Sequence, residues 1–158
     1  MPDEVGIYRQ ELSWVLAEFR QCIGAYQADQ LHWRPADGAN SAAAIVMHVV
    51  GATRVYVLGF ACGQPVERDR AAEFRPEALG APALLAALDA LAREIDAALA
   101  ELTPAALARS LRPPQELWGA TTETREIVAR EALVMALRHA AIHLGELRLT
   151  HDLAAAGR

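Results

Sequence analysis

The chain has 158 residues, a formal net charge of −5, 53% hydrophobic residues and only 6% aromatics. That length suits one domain over residues 1–158 with a real core. The acidic balance, without any run of Lys and Arg, argues against a nucleic-acid surface or a polybasic membrane patch.

The start, MPDEVGIYRQELSW, is acidic and amphipathic rather than basic then apolar, so it does not read as a secretory signal. From about Pro2 to Ala28, apolar residues recur at three- and four-residue steps (Val5, Tyr8, Leu12, Val15, Leu16, Phe19, Ile23, Tyr26), which predicts an amphipathic helix. LHWRPADGAN then reads as a loop, with a cap at Asn40 or Ser41. Trp33, Arg34 and Pro35 are expected to pack and position it.

The second helix is expected from Ser41 to Phe60, with Gly59, Gly63 and Pro65 marking its end. It is apolar most of the way round, as a helix buried on several sides would be. Its apolar run AAAIVMHVVGA is too short to span a bilayer, so the expectation is a soluble cytoplasmic protein. Residues 64–81 read as a connection crossing a bundle. The third helix is predicted from Pro82 to Glu101, followed by a short turn at Thr103-Pro104 and a loop, LRPPQELWGATT, whose prolines and Gly119 oppose regular helix. The last helix is predicted over Thr122–Thr150, with Glu123 and Glu126 near its positive end.

No period-2 strand and no internal repeat is evident. The expectation is an all-α four-helix bundle with two long crossings. The last helix is apolar on more than one face, with Met135 and Ile142 outside its main stripe; a second subunit covering the surplus, as in a homodimer, and a fully enclosed helix would both give this pattern. Cys22 and Cys62, without CxxC spacing, read as free, partly buried thiols. Trp14 and Trp118 read as core or lid aromatics.

Chemistry concentrates in three histidines. His139 and His143, four apart in RHAAIHLGEL, project from one side of the last helix, one turn apart. His48 interrupts the otherwise apolar second helix. Unpartnered buried imidazoles would each cost about 1–3 kcal/mol, and a shared cation removes that penalty for one nitrogen per ring. Three imidazoles suit a divalent metal and leave a coordination position open for water or substrate. Small neighbours at helical spacing from His48 (Ala44, Gly51, Ala52) would leave room for an ion and a ligand. The alternative is that the histidines are structural. Glu146, three after His143, could accept a ring N–H, act as a base or ligate, or pair with Arg138 or Arg148 instead. His32 and His151 read as surface residues. HExxH and the ExxH of di-iron bundles are absent, as are Ser-His-Asp order and phosphate-binding glycine loops.

Two segments carry a family resemblance. LHWRPADGANSAAAIVMHVVGATRVYVLG resembles the second-helix region of the DinB-like superfamily, which includes the YfiT-like proteins. REIVAREALVMALRHAAIHLGELRLT resembles its last helix, where HxxxHxGQ is usual; here Glu146 stands in place of the glutamine. The resemblance implies an up-down-down-up bundle, commonly a homodimer, holding a divalent metal such as zinc or nickel through His48, His139 and His143. It further implies a small-molecule substrate. Relatives include thiol S-transferases using bacillithiol or mycothiol and a mycothiol-dependent maleylpyruvate isomerase. The functional expectation is a metal-dependent enzyme, a thiol S-transferase first and a hydrolase as its variant. The alternative is a non-catalytic metal- or ligand-binding protein of a stress response.

Overall fold

The computed structural model describes residues 3–118 and 123–157. Pro2, Gly119 and Thr122, read above as a helix start, a helix breaker and a second helix start, lie outside the described residues. Asp3 opens helix α1 (Glu4–Ala25) by accepting the Gly6 N–H at 2.8 Å. The stripe Val5, Leu12, Val15, Leu16, Phe19 and Ile23 is buried along it. Each such large apolar side chain stabilises the fold by roughly 1.5–3 kcal/mol. Trp14 falls off this stripe and is 55% exposed, so it is neither core nor lid.

Ser41, not Asn40, caps helix α2 (Ala42–Arg54): its Oγ accepts the Ala44 N–H at 3.3 Å. Such caps stabilise a helix by about 1 kcal/mol. The helix continues as π-helical turns over Val55–Ala61. Gly59 therefore lies inside the helix. Gly63 ends it in the left-handed region at φ +71°, where a side chain would be strained. Counted with these turns, Ala42–Ala61 is long and apolar enough to cross a membrane by length and composition, unlike the shorter run read from sequence. However, 72% of its most apolar window is buried inside the bundle, as expected of a core helix.

The crossing segment is not all loop, because a four-residue helix α3 (Arg70–Glu73) forms within it, capped by Asp69. Helix α4 follows over Ala81–Glu101, with Pro82 in its first turn. Two further corrections concern the stretch before the last helix. A two-residue strand β1 (Ser110–Leu111) pairs antiparallel with β2 (Ile127–Val128), and a single helical turn α5 (Gln115–Trp118) lies between them. Pairs this short have no detectable period, and α5 starts just after Pro114, where a missing N–H costs nothing. The last helix, α6, consequently begins at Ala129 and runs to Ala155. Glu123 and Glu126 precede it, and Glu131 is the acid in its first turn.

Ion pairs give the relative directions of three of the four long helices. Glu4–Arg130 and Glu18–Arg148 align α1 parallel to α6, while Arg9–Asp96 and Arg20–Asp89 run α1 antiparallel to α4. Arg54 pairs with Glu94, and Leu58 lies beside Ala98 and Glu101 further on, so α2 runs parallel to α4 and the four make the up-down-down-up bundle. Its core joins residues of all four helices, among them Phe19, Ile45, Leu88 and Leu133. Arg109 closes the end of α2 by donating from Nη2 to the carbonyls of Phe60 (2.8 Å) and Ala61 (3.0 Å). Those are carbonyls a helix end otherwise leaves unpaired.

Candidate metal centre

Helices α2 and α6 face each other across the core and bring the three predicted histidines together. One nitrogen from each of His48, His139 and His143 lies within 4.8 Å of the other two. His48 Nε2 and His139 Nε2 stand 3.0 Å apart, and the ring centroids are separated by 4.5 to 5.0 Å. The i, i+4 spacing on α6 stacks His139 and His143 one turn apart, as expected. The side chains of His48 and His143 are only 12% and 18% exposed, so the cluster is sheltered without being sealed.

Carboxylates stand behind two of the three rings. Glu146 Oε2 lies 2.7 Å from His143 Nδ1, while Arg148 is engaged by Glu18. Glu146 therefore partners its own helix's histidine, which selects one of the roles open to it from sequence. Behind His48, Glu73 Oε2 lies 3.0 Å from Nδ1. Glu73 is buried, and Arg68 donates to both of its oxygens, Nε to Oε1 at 2.6 Å and Nη2 to Oε2 at 2.8 Å. Burial alone would raise the Glu73 pKa. The hydrogen bonds and charges of Arg68 and His48 outweigh it and hold the carboxyl below its ordinary value.

His139 is the exception. Its Nδ1 is buried without a hydrogen-bond partner. Burial, followed by the charges of His143 and His48, pushes its pKa down to about 3. It is thus a neutral imidazole at any ordinary pH, the form that ligates metals. Three sheltered imidazoles converging through one nitrogen each, two of them backed by carboxylates, fit a divalent cation.

Aromatic rings border the cluster. Phe74, next to Glu73, lies 5.0 Å from the His48 ring, and Tyr56 lies 5.7 Å from His139. Tyr56 leads by ring contacts to Phe60 and on to Trp118, which is half-buried beneath Arg125. The π-helical turns carry both Tyr56 and Phe60; such turns recur at functional sites.

The other sequence candidates lie elsewhere. His32 and His151 are half-buried rather than on open surface. His32 Nε2 donates to the Leu79 carbonyl at 3.0 Å, and the His151 ring meets Tyr26 edge-on. Cys22 and Cys62 are free and half-buried, and burial raises both thiol pKa values. Glu73 and Arg68 escaped the sequence reading, which saw the crossing segment only as mixed charge. Gly51 was the available signal. A glycine inside an alanine-rich helix has a helix-propensity cost and often marks close approach. The space read there as room for an ion is filled by the Glu73 carboxylate, whose Oε1 lies 2.0 Å from where a Gly51 Cβ would sit.

An up-down-down-up bundle with a three-histidine cluster between its second and last long helices defines a class of protein. The DinB superfamily model matches residues 11–147, and the chain belongs to that superfamily. No curated protein matches the sequence significantly. Among solved structures, it resembles YfiT from Bacillus subtilis, described as a probable metal-dependent hydrolase with an unusual four-helix-bundle topology. There the TM-score is 0.75 at 18% identity, covering 98% of this chain and 93% of that one. A DinB-like protein from Bacillus cereus ATCC 10987 gives 0.71 at 15%, covering 95% and 91%. A mycothiol-dependent maleylpyruvate isomerase gives 0.64 at 16%, covering 93% of this chain and 61% of that one. At these identities the likeness shows the fold.

Proposed function

We propose that the chain holds one divalent cation, zinc or nickel, through His48, His139 and His143, and works as a metal-dependent enzyme on a small molecule. The specific reaction proposed is transfer of a low-molecular-weight thiol, with hydrolysis as the variant using the same residues. The observation that carries this reading is the convergence of three sheltered imidazole nitrogens within 4.8 Å. When bound, the cation would supply Lewis acidity that lowers the pKa of a thiol or water. The chain's own residues do the rest. Glu73 and Glu146 orient two of the rings, and Tyr56 and Phe74 border the cluster with apolar surface. The pairing of Glu146 with His143 Nδ1 keeps that carboxylate from completing a closed four-ligand shell. This favours catalysis over a storage or purely structural site. Two proteins of similar fold are described as a probable metal-dependent hydrolase and a mycothiol-dependent isomerase, which supports the same choice.

A panel of thiols, bacillithiol and mycothiol among them, offered with a chromogenic electrophile tests the reaction. Turnover by the zinc- or nickel-loaded protein, absent from His143→Ala, is the expected result. Turnover of ester substrates alone would select the hydrolase variant, and no turnover of either class would overturn the enzyme reading.

The reading takes residues 1–158 as one domain, supported by a core cluster that draws on every long helix. It places the protein in the cytoplasm, with neither nucleic acid nor membrane as partner; the net charge and the burial of Ala42–Ala61 support this. It also takes the protein as a homodimer through the outer face of α6, where Ile142 and Leu149 are 63% and 60% exposed. Sedimentation at micromolar concentration should give twice the chain mass for the wild type and a single chain for Ile142→Asp. A monomeric wild type would remove the dimer.

A further inference from the structure

We infer that Glu73 is a positioning residue that fixes the tautomer of His48, and that the bare Cα of Gly51 is what admits it. This rests on the proposed role of His48 as a metal ligand, and it assigns a task to the crossing segment, which places Glu73 25 residues beyond His48.

Two groups reach His48 Nδ1, and they ask for opposite tautomers. The Glu73 carboxylate, 3.0 Å away and gripped through both oxygens by Arg68, can only accept, so it requires a proton on Nδ1. Arg68 Nη2, 3.4 Å away, can only donate, so it requires Nδ1 bare. Distance favours the carboxylate. Arg68 Nη2 is in addition already committed to Glu73 Oε2 at 2.8 Å, with Nε on Oε1 at 2.6 Å. Glu73 therefore wins the nitrogen and neutralises the competing donor at the same time. With its proton on Nδ1, His48 presents a bare Nε2 toward His139 Nε2, 3.0 Å away. Without Glu73, the guanidinium would be released to donate to Nδ1. The proton would then sit on Nε2, the atom that has to be bare to ligate.

Gly51 sets the condition for this arrangement. A Cβ there would lie 2.0 Å from Glu73 Oε1 and 2.7 Å from Cδ. No real contact is that close, so the carboxylate would have to leave. Because it is the end of a flexible side chain, it can give way without moving backbone, at the cost of its contacts with His48 and Arg68. Alanine is also the better helix former, so Gly51→Ala should not weaken α2 itself.

The test reads histidine tautomers in the metal-free protein by two-bond 1H–15N correlation, with His48 assigned by its loss in His48→Gln. Wild type is expected to carry the proton on Nδ1. Glu73→Ala and Gly51→Ala are expected to move it to Nε2 and to weaken zinc binding about 10- to 100-fold in competition with a chromogenic chelator. A carboxylate that merely braced the crossing segment would leave the tautomer where it was. The proposal is overturned if folded variants keep the Nδ1 proton, or if their zinc affinity stays within about twofold of wild type. Should Glu73→Ala fail to fold, Gly51→Ala decides alone. A wild type that takes up no zinc overturns the metal reading, and the tautomer result then decides this one.

Discussion

His143→Ala should lower zinc affinity about 100- to 1000-fold, and the triple substitution of His48, His139 and His143 by alanine should abolish binding. Structural zinc sites with four ligands bind with roughly 10–16 kcal/mol, about 2.5–4 kcal/mol per ligand, and each 1.4 kcal/mol is a factor of ten. The effect should also appear as stability. Zinc at about 1000 times its dissociation constant raises the unfolding free energy by about 4 kcal/mol. Wild type should therefore melt higher with zinc, and lower again after chelation. His143→Ala should keep only a small part of that shift. Elemental analysis of the purified proteins provides the companion measurement. If wild type carries no metal and its melting is indifferent to zinc and nickel, the histidines are structural.

Acid should unfold the metal-free protein unusually early. The unfolded chain takes a proton on His139 near its ordinary value of 6.5, but the folded chain takes one only near 3. Between those limits the unfolded state binds more protons, so stability falls as pH falls, by up to about 1.4 kcal/mol per pH unit. From pH 6.5 to 4.5 the loss should reach roughly 2–3 kcal/mol. Glu73 acts in the same direction lower down. Its carboxyl is held below 4.5 in the fold, so its contribution is complete above 4.5 and is lost as pH drops through the folded value. Denaturant midpoints at pH 7, 6 and 5 measure the upper window. His139→Leu, which keeps an apolar side chain there, should flatten it. A wild-type midpoint unchanged from pH 7 to 5 would refute the buried, unpartnered state of His139.

The four long helices were readable because each carries a buried stripe at helical spacing, and the histidine trio because imidazoles interrupt those stripes. The parts that were not readable share one property: they depend on contacts between distant segments. Strands β1 and β2 are two residues each, too short for alternation to register, yet their pairing delays α6 to Ala129. The propensities of Glu123 and Glu126 pointed to an earlier start, and tertiary pairing overrode them. Trp14 was misplaced because aromatic character outweighed its position. Residue 14 falls between the buried positions 12 and 15–16 and faces outward at 55% exposure. Glu73 shows the limit most clearly. A lone glutamate among mixed charges reads as solvated, and only Arg68 on one side and a missing Cβ on the other make its burial affordable.

Arg109 has a similar reach, at the opposite end of α2. Its guanidinium holds the carbonyls of Phe60 and Ala61 from 49 and 48 positions away. Tyr56 and Phe60 hang from that same stretch of backbone, so the aromatic margin of the histidine cluster is anchored by a side chain that never touches it. A change at Arg109 would therefore reshape what the cluster can admit while leaving every imidazole in place. If the cluster works as proposed, substitution at Arg109 should alter which ligands it takes more than how tightly it holds a metal.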